Sequence, residues 1–167
     1  PYDAMIREKR DKECPAGAQS GFYPGGVYTY EKSFLAPKEW KNQDVVLEFE
    51  GIYGTARVWI NGALATVNRN GYMGFSVDLK PWICYGQENL IKIDVDNSNQ
   101  PNSRWYTGSG IYRDVNLWTG KGVYIPHDEM KITTLSVNDD VAVVEVCVNL
   151  KNTEACGTEA KCYVELI

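Results

Sequence analysis

Between positions 102 and 115 the sequence reads Asn102-Ser103-Arg104-Trp105-Tyr106-Thr107-Gly108-Ser109-Gly110-Ile111-Tyr112-Arg113-Asp114-Val115. A polar loop, an arginine, two adjacent aromatics and a glycine turn come before a strand. This places flat apolar ring faces beside a bidentate hydrogen-bond donor. Sugars match that pairing, because their C–H faces stack on rings while their hydroxyls take hydrogen bonds. Arg104, Trp105, Asn102 and Tyr106 are therefore the candidate carbohydrate-binding residues. The structural alternative is that Trp105 or Tyr106 plugs one end of a β-sandwich. Trp59, on the outward face of its strand, is a second candidate platform, and its alternative is packing beneath a neighbouring loop or domain.

Other chemistries find little support. The only histidine, His127, lies in the proline-marked joint Ile125-Pro126-His127-Asp128-Glu129, and no nucleophile elbow serves it, so Ser/His/Asp catalysis is rejected. Cys14, Cys84, Cys147, Cys156 and Cys162 are odd in number, without a C-x-x-C pair, and read as mostly reduced, partly buried thiols rather than zinc ligands. Glu48, Glu50, Asp94, Asp96, Asp139 and Asp140 read as solvated strand faces and turns, not as a facing carboxylate pair. Asp94-Val95-Asp96-Asn97-Ser98-Asn99 opens like a calcium loop but lacks the glycine and the closing glutamate, and reads as a polar loop. Gly108-Ser109-Gly110 leads into a strand, not a phosphate-binding helix, and reads as a tight turn. No catalytic residue, metal ligand or cofactor motif is expected.

The elements that must position the loop are strands. No window keeps an i, i+3, i+4, i+7 apolar pattern, whereas period-two alternation recurs. Val45, Leu47 and Phe49 share one face; Ala56, Val58 and Ile60 another; Ile91, Ile93 and Val95 a third; Val115 and Leu117 alternate with Asp114 and Asn116. Asn61-Gly62 signals a two-residue hairpin, where both residues need positive φ. Eleven tyrosines, five tryptophans and turn residues roughly every eight to twelve positions suit a sandwich. At 167 residues with 17 basic and 22 acidic side chains, the chain can bury one good core. Its net charge of −5 gives no footprint for nucleic acid or an anionic membrane, and no apolar run approaches the roughly 20 residues of a membrane span. The chain opens at Pro1, without an initiator methionine or a signal-peptide pattern, and reads as already trimmed. Its compartment is not legible.

A boundary is expected near residues 122–128, giving domains over 1–124 and 125–167. Beyond it the texture becomes plain Val-rich strands. Ala142, Val144, Val146, Val148 and Leu150 form one apolar face, with Cys147 opposite, and Ala160, Cys162, Val164 and Leu166 predict a last strand. Cys147 and Cys162 thus point to opposite sides, against a disulfide. About three strands are too few to cover an apolar face, so this part reads as the beginning of a second domain cut short. Dimerisation through the tail, or disorder after residue 125, is the expectation.

The stretch from Ser103 to Val115 resembles the S-R-W-Y-x-G-[SA]-G-I-x-R-x-V signature of glycoside hydrolase family 2, the β-galactosidase and β-glucuronidase family. Pro24-Gly25-Gly26-Val27 through Phe34 is similar to that family's P-G-G-V-x-x-Y-x-K-x-F strand. Leu47 through Gly62 resembles its L-x-F-x-G-x-x-x-x-A-x-V-W-x-N-G core. Gly71-Tyr72, Phe75, Asp78-Leu79 and Glu88-Asn89 before Val95-Asp96-Asn97 complete the run in the family's order, so ordered blocks cover residues 22 to 118. The resemblance implies an all-β chain: an N-terminal jelly-roll sugar-binding domain followed by the start of an immunoglobulin-like β-sandwich. It places the two catalytic glutamates in a later (β/α)₈ barrel of about 250 residues, so this chain alone should hydrolyse nothing. A jelly-roll loop of the family edges the barrel's sugar pocket, and Arg104 stands where the large galactosidases and glucuronidases carry aspartate. That departure withholds their substrate identity and argues against the sodium site built partly from that aspartate. The partners so implied are a carbohydrate substrate and the barrel of the same parent chain. A stand-alone carbohydrate-binding module and a purely structural spacer are the competing readings.

Overall fold

The computed structural model describes residues 3–165. It is all-β, with three short 3₁₀ turns at Met5–Arg7, Gly17–Ser20 and Lys38–Asn42. The strands are β1 (Val27–Ala36), β2 (Asp44–Phe49), β3 (Ile52–Tyr53), β4 (Thr55–Ile60), β5 (Ala63–Asn68), β6 (Phe75–Asp78), β7 (Gln87–Asp96), β8 (Gly110–Ile111), β9 (Val115–Gly120), β10 (Val123–Tyr124), β11 (Met130–Val137), β12 (Ala142–Val148) and β13 (Lys151–Asn152). The described chain forms two compact units, one running up to Lys41 and over Val45–Trp118, the other comprising Asn42–Asp44 and residues from Thr119 onward.

The first unit is a β-sandwich. One sheet has the order β1-β7-β4-β5, the other β6-β2-β9, and β3 pairs with β8 beside them. Alternation explains the layers, because successive side chains of a strand face opposite ways. Val45, Leu47 and Phe49 from β2, Ala56, Val58 and Ile60 from β4, and Ile91, Ile93 and Val95 from β7 meet in one core with Ile52, Val77, Leu79 and Ile83. Each fully buried side chain of this size contributes about 1.5–3 kcal/mol. Phe75 stacks on Phe49 at 4.8 Å between ring centroids. The β4–β5 hairpin turns on Asn61 (φ 50°) and Gly62 (φ 83°), the two positive φ values such a turn demands. Asn61 also ties the hairpin down: its Nδ2 donates to Trp82 O at 3.0 Å and to Asn89 Oδ1 at 2.8 Å, while its Oδ1 accepts the Leu90 N–H at 2.9 Å.

Glu48 departs from the sequence expectation. It is buried, not solvated, because Trp118 lies over it and donates its indole N–H to Glu48 Oε2 at 2.7 Å, with Asn116 Nδ2 at 3.3 Å. Alternation places a carboxylate on the outer face but does not foresee an aromatic neighbour covering it. The thiols differ as well. All five cysteines are free, but only Cys14 is buried; Cys84, Cys147, Cys156 and Cys162 are exposed.

In the second unit β10 pairs with β13, and β11 with β12 in an antiparallel ribbon that shifts register between Thr134 and Ser136. Asp44 accepts from the Tyr124 hydroxyl at 2.7 Å and pairs with Lys151 Nζ at 2.9 Å. Val144, Val146, Val148 and Leu150 share a face, as the alternation requires, and line an apolar cavity of about 700 Å³. The expected last strand does not form. Residues 160–165, the polar ones included, line the same cavity without joining a strand ladder, because alternation supplies no partner edge to bond; Leu166 lies outside the described residues. Cys147 sits opposite, beside Glu145, whose carboxylate pushes the thiol pKa up.

Candidate functional site

The loop that follows β7 is built around one buried amide. Asn97 is 4% exposed. Its Nδ2 donates to Ser109 Oγ at 2.6 Å and Gly108 O at 3.0 Å, its Oδ1 accepts from Asn102 Nδ2 at 2.6 Å, and its backbone N–H donates to Gly26 O at 2.9 Å. The chain between passes through a cis Gln100–Pro101 bond. A second anchor comes from the beginning of the described chain. Asp3 Oδ1 accepts the Ser109 N–H at 2.9 Å and the Met5 N–H at 2.9 Å, and Asp3 Oδ2 accepts the Tyr106 hydroxyl. Ala4 N–H adds a bond to Ser109 O at 2.7 Å. Gly110 then turns the chain into β8 with φ 106°, a conformation an L side chain rarely adopts. A Cβ there would overlap the Tyr30 hydroxyl, which itself accepts the Ile111 N–H at 3.3 Å.

The loop is thus pinned at 97, 102, 106 and 109, and between the pins Arg104 and Trp105 project outward. Arg104 is exposed and, among the described residues, makes no side-chain hydrogen bond, ion pair or ring contact. Trp105 is 62% exposed, with only its backbone O held, by Ser103 Oγ at 2.6 Å. Tyr106 faces a different neighbour. Its ring meets Tyr23 at 6.4 Å and 58°, and the Arg10 guanidinium sits 5.4 Å from the Tyr23 centroid. Burial first, then the hydrogen bond to Asp3, pushes the Tyr106 pKa up. The four sequence-derived residues therefore share one loop but not one surface: Tyr106 spends its hydroxyl on anchoring, while Arg104 and Trp105 stand free. Trp59, the second candidate platform, is half-buried with Lys92 Nζ 5.5 Å from its ring.

Asn102 borders an open cleft of about 580 Å³ that also takes in Tyr53, Arg69, Tyr72, Asp96 and Asn99. Tyr53 and Tyr72 meet edge to face at 5.4 Å and 68°; burial, then the neighbouring Tyr72, raises the Tyr53 pKa. The loop carrying Tyr72 is fixed by Asn70 Oδ1, which accepts the Tyr72 and Met73 N–H groups at 3.0 and 3.2 Å, and by the Tyr112 hydroxyl, which donates to Gly71 O at 2.9 Å. Asp96 is used within its own loop: Oδ1 accepts the Ser98 hydroxyl at 2.7 Å and N–H at 3.1 Å, bonds that lower its pKa, and Oδ2 lies 3.7 Å from Arg57. With Asn97 also spent on loop bonds, the stretch from Asp94 to Asn99 is a hydrogen-bonded turn. Rings, amides and a guanidinium lining one cleft suit a polyhydroxylated ligand. Sequence reading missed Tyr53, Tyr72 and Arg69, because Tyr53 lies on β3 and the other two in the loop between β5 and β6, and only the folded arrangement brings them beside Asn102. It also missed Asn97 and Asp3 as positioning residues, although an Asn immediately after a long strand is the type that satisfies loop backbone.

Comparison with known proteins bears on the family and the fold. Residues 17–121 match the sequence profile described as glycosyl hydrolases family 2, sugar binding domain. The chain is similar to β-galactosidase BoGH2A of Bacteroides ovatus, with 38% identity over 152 residues covering 91% of this chain and 18% of that protein. It is similar to a β-glucuronidase of Bacteroides fragilis at 32% identity, covering 81% of this chain and 21% of the other. Among solved structures, a β-glycosidase from Bacteroides vulgatus superposes with a TM-score of 0.82 at 37% identity, over 92% of this chain and 20% of that one. The chain spans about a fifth of the length of these relatives.

Proposed function

The chain belongs to glycoside hydrolase family 2, and from that premise we propose that it is the non-catalytic sugar-binding head of a retaining, β-galactosidase-like glycosidase hydrolysing O-glycosidic bonds. In this reading residues 1–124 are the jelly-roll domain and 125–167 begin the immunoglobulin-like domain. The head braces a (β/α)₈ barrel of the same parent chain and lines one wall of its pocket. Two barrel glutamates do the chemistry: one protonates the leaving oxygen, the other forms a glycosyl-enzyme that water resolves with retention. The present residues orient substrate. Arg104 offers paired N–H donors to sugar hydroxyls, Trp105 a stacking face, and Asn102 an amide at the cleft rim, with Tyr106 holding the loop beside them.

The observation that carries this reading is the contrast within one loop. Asn97, Asp3 and Ser109 are fully engaged in fixing it, while Arg104 and Trp105 are presented to solvent. A rigid frame with free functional ends is what a binding wall requires. In the full-length enzyme, Arg104→Ala should lower kcat/KM by about ten- to a hundred-fold, the loss of a charge-assisted bond of about 1.5–3 kcal/mol, with an unchanged melting temperature. Unaltered kinetics would remove Arg104 from the site.

The exposed Trp105 and Tyr106 rings favour one alternative, a carbohydrate-binding module that holds sugar without a barrel. Oligosaccharide titration followed by tryptophan fluorescence separates the two: saturation at millimolar or tighter concentration supports the module, silence supports the head. The apolar face of the second unit, with Val144 and Leu150 exposed, favours self-association of the chain when nothing else covers it.

A further inference from the structure

Among the described residues, the open cleft beside Asn102 is lined by two charged side chains, Arg69 and Asp96, and otherwise by neutral ones. The two charges are in different situations. Asp96 is already engaged: Ser98 donates to its Oδ1 at 2.7 and 3.1 Å, and Arg57 lies 3.7 Å from its Oδ2. Arg69 has no such counter-ion. Among the described residues its guanidinium makes no side-chain hydrogen bond, ion pair or ring contact, although the chain carries 22 acidic side chains to 17 basic ones. The backbone beneath it is fixed on both sides. Asn68 Nδ2 donates to Asn70 O at 2.9 Å and the Asn70 N–H donates to Asn68 Oδ1 at 3.1 Å, so the two amides bracket Arg69. Gly71 then lies against the Tyr53 ring, where a Cβ would come within 2.6 Å, and its carbonyl is held by Tyr112. An always-charged fork is thereby offered from a preorganised loop.

We propose that this cleft is a subsite for an anionic sugar unit, whose carboxylate or sulfate ester is gripped by Arg69. Both groups present paired oxygens that a guanidinium meets with two parallel hydrogen bonds. The ring of that unit lies against Tyr72, which is 58% exposed, and its hydroxyls reach the exposed Asn99 amide. The inference rests on the 102–109 loop being a sugar-binding wall. Asn102 borders the cleft, and Arg104 and Trp105 stand two and three positions further along the same loop. The unit in the cleft is then the neighbour of the unit they hold, and the substrate is a charged oligosaccharide rather than a single neutral sugar.

The test is calorimetric titration of the full-length protein at low salt with glucuronic acid, glucose 6-sulfate and glucose. At least one acid should bind about ten-fold or more tightly than glucose, the loss expected when one charge-assisted bond is removed, and the better of the two identifies the anionic group. Added salt should weaken the acid and not the neutral sugar. Arg69→Gln should bring the acid to the level of glucose with an unchanged melting temperature, and Arg69→Lys, a charge without a fork, should keep part of the preference. Arg104→Ala should leave the preference in place. No saturable binding of either acid, acids and glucose binding alike, or a preference that survives Arg69→Gln would overturn the proposal. So would a preference lost in Arg104→Ala alone, which would put the anion on the wall instead. Inorganic sulfate binding as tightly as the preferred acid would mean an adventitious ion only. None of these titrations depends on turnover, so the cleft and the kinetic role of Arg104 fail separately.

Discussion

Asn97→Ala should be among the costliest single changes to the loop. The substitution strips two buried acceptors, Gly108 O and Ser109 Oγ, of the amide that now bonds them at 3.0 and 2.6 Å, and it frees the exposed Asn102 amide. A buried polar group left unpaired costs about 1–3 kcal/mol, whereas an exposed one is recovered by water. Two such groups set the scale, about 2–6 kcal/mol in total. With a urea m-value of about 2 kcal/mol/M for a small protein, the unfolding midpoint should fall by about 1–3 M, followed by tryptophan fluorescence and circular dichroism. Asn97→Asp should cost as much, because it keeps the acceptor for Asn102 but sets an oxygen against Gly108 O. Asn102→Ala leaves one buried acceptor, Asn97 Oδ1, without its donor and should cost about half as much, about 1–3 kcal/mol. An Asn97→Ala midpoint indistinguishable from wild type, or an Asn102→Ala loss equal to it, would refute the hub.

Gly110→Ala forces a side chain into φ 106° and against the Tyr30 hydroxyl; strain and overpacking together should cost about 3 kcal/mol, a melting-temperature fall of about 6–12 °C, and pairing it with Tyr30→Phe should recover part of that. The Tyr28 hydroxyl is buried and, among the described residues, has no hydrogen-bond partner; burial, followed by Glu8 and Asp3, pushes its pKa up to about 12. A folded pKa above the unfolded value of 10.0 means that this contribution to stability is full below pH 10 and is lost as pH rises toward 12. Tyr28→Phe should therefore flatten the alkaline decline and leave stability at pH 7 equal or higher by up to about 1 kcal/mol, read by urea midpoints across pH 8–12. Thiol titration of the folded protein at pH 8 should label Cys84, Cys156 and Cys162 readily, Cys147 more slowly because of Glu145, and Cys14 only on unfolding.

The strands and their faces were legible because burial imposes a period of two, and Ala56, Val58, Ile60, Ile91, Ile93 and Val95 are all in the core. The Asn61-Gly62 hairpin was legible because few residue pairs tolerate its dihedrals. Glu48 was not, since a local pattern cannot report that Trp118, 70 positions later, will cover it. The final strand failed for the complementary reason: alternation predicts a face but cannot supply the edge to which a strand must bond. Within the loop, Arg104, Trp105, Asn102 and Tyr106 were identified by residue type. The different neighbours of Tyr106, and the cleft shared by Asn102 with Tyr53 and Tyr72, depend on contacts across the sheet that no short window contains.

The bonds from Asp3 to Ser109 and Tyr106 join residues separated by 106 and 103 positions. During synthesis the Asp3 carboxylate leaves the ribosome about a hundred residues ahead of its partners and must wait until nearly the whole sandwich has followed. The loop bearing Arg104 and Trp105 is then fastened late, by a residue made long before it. A bulky group inserted directly ahead of Asp3 would consequently sit beside that loop and disturb binding work.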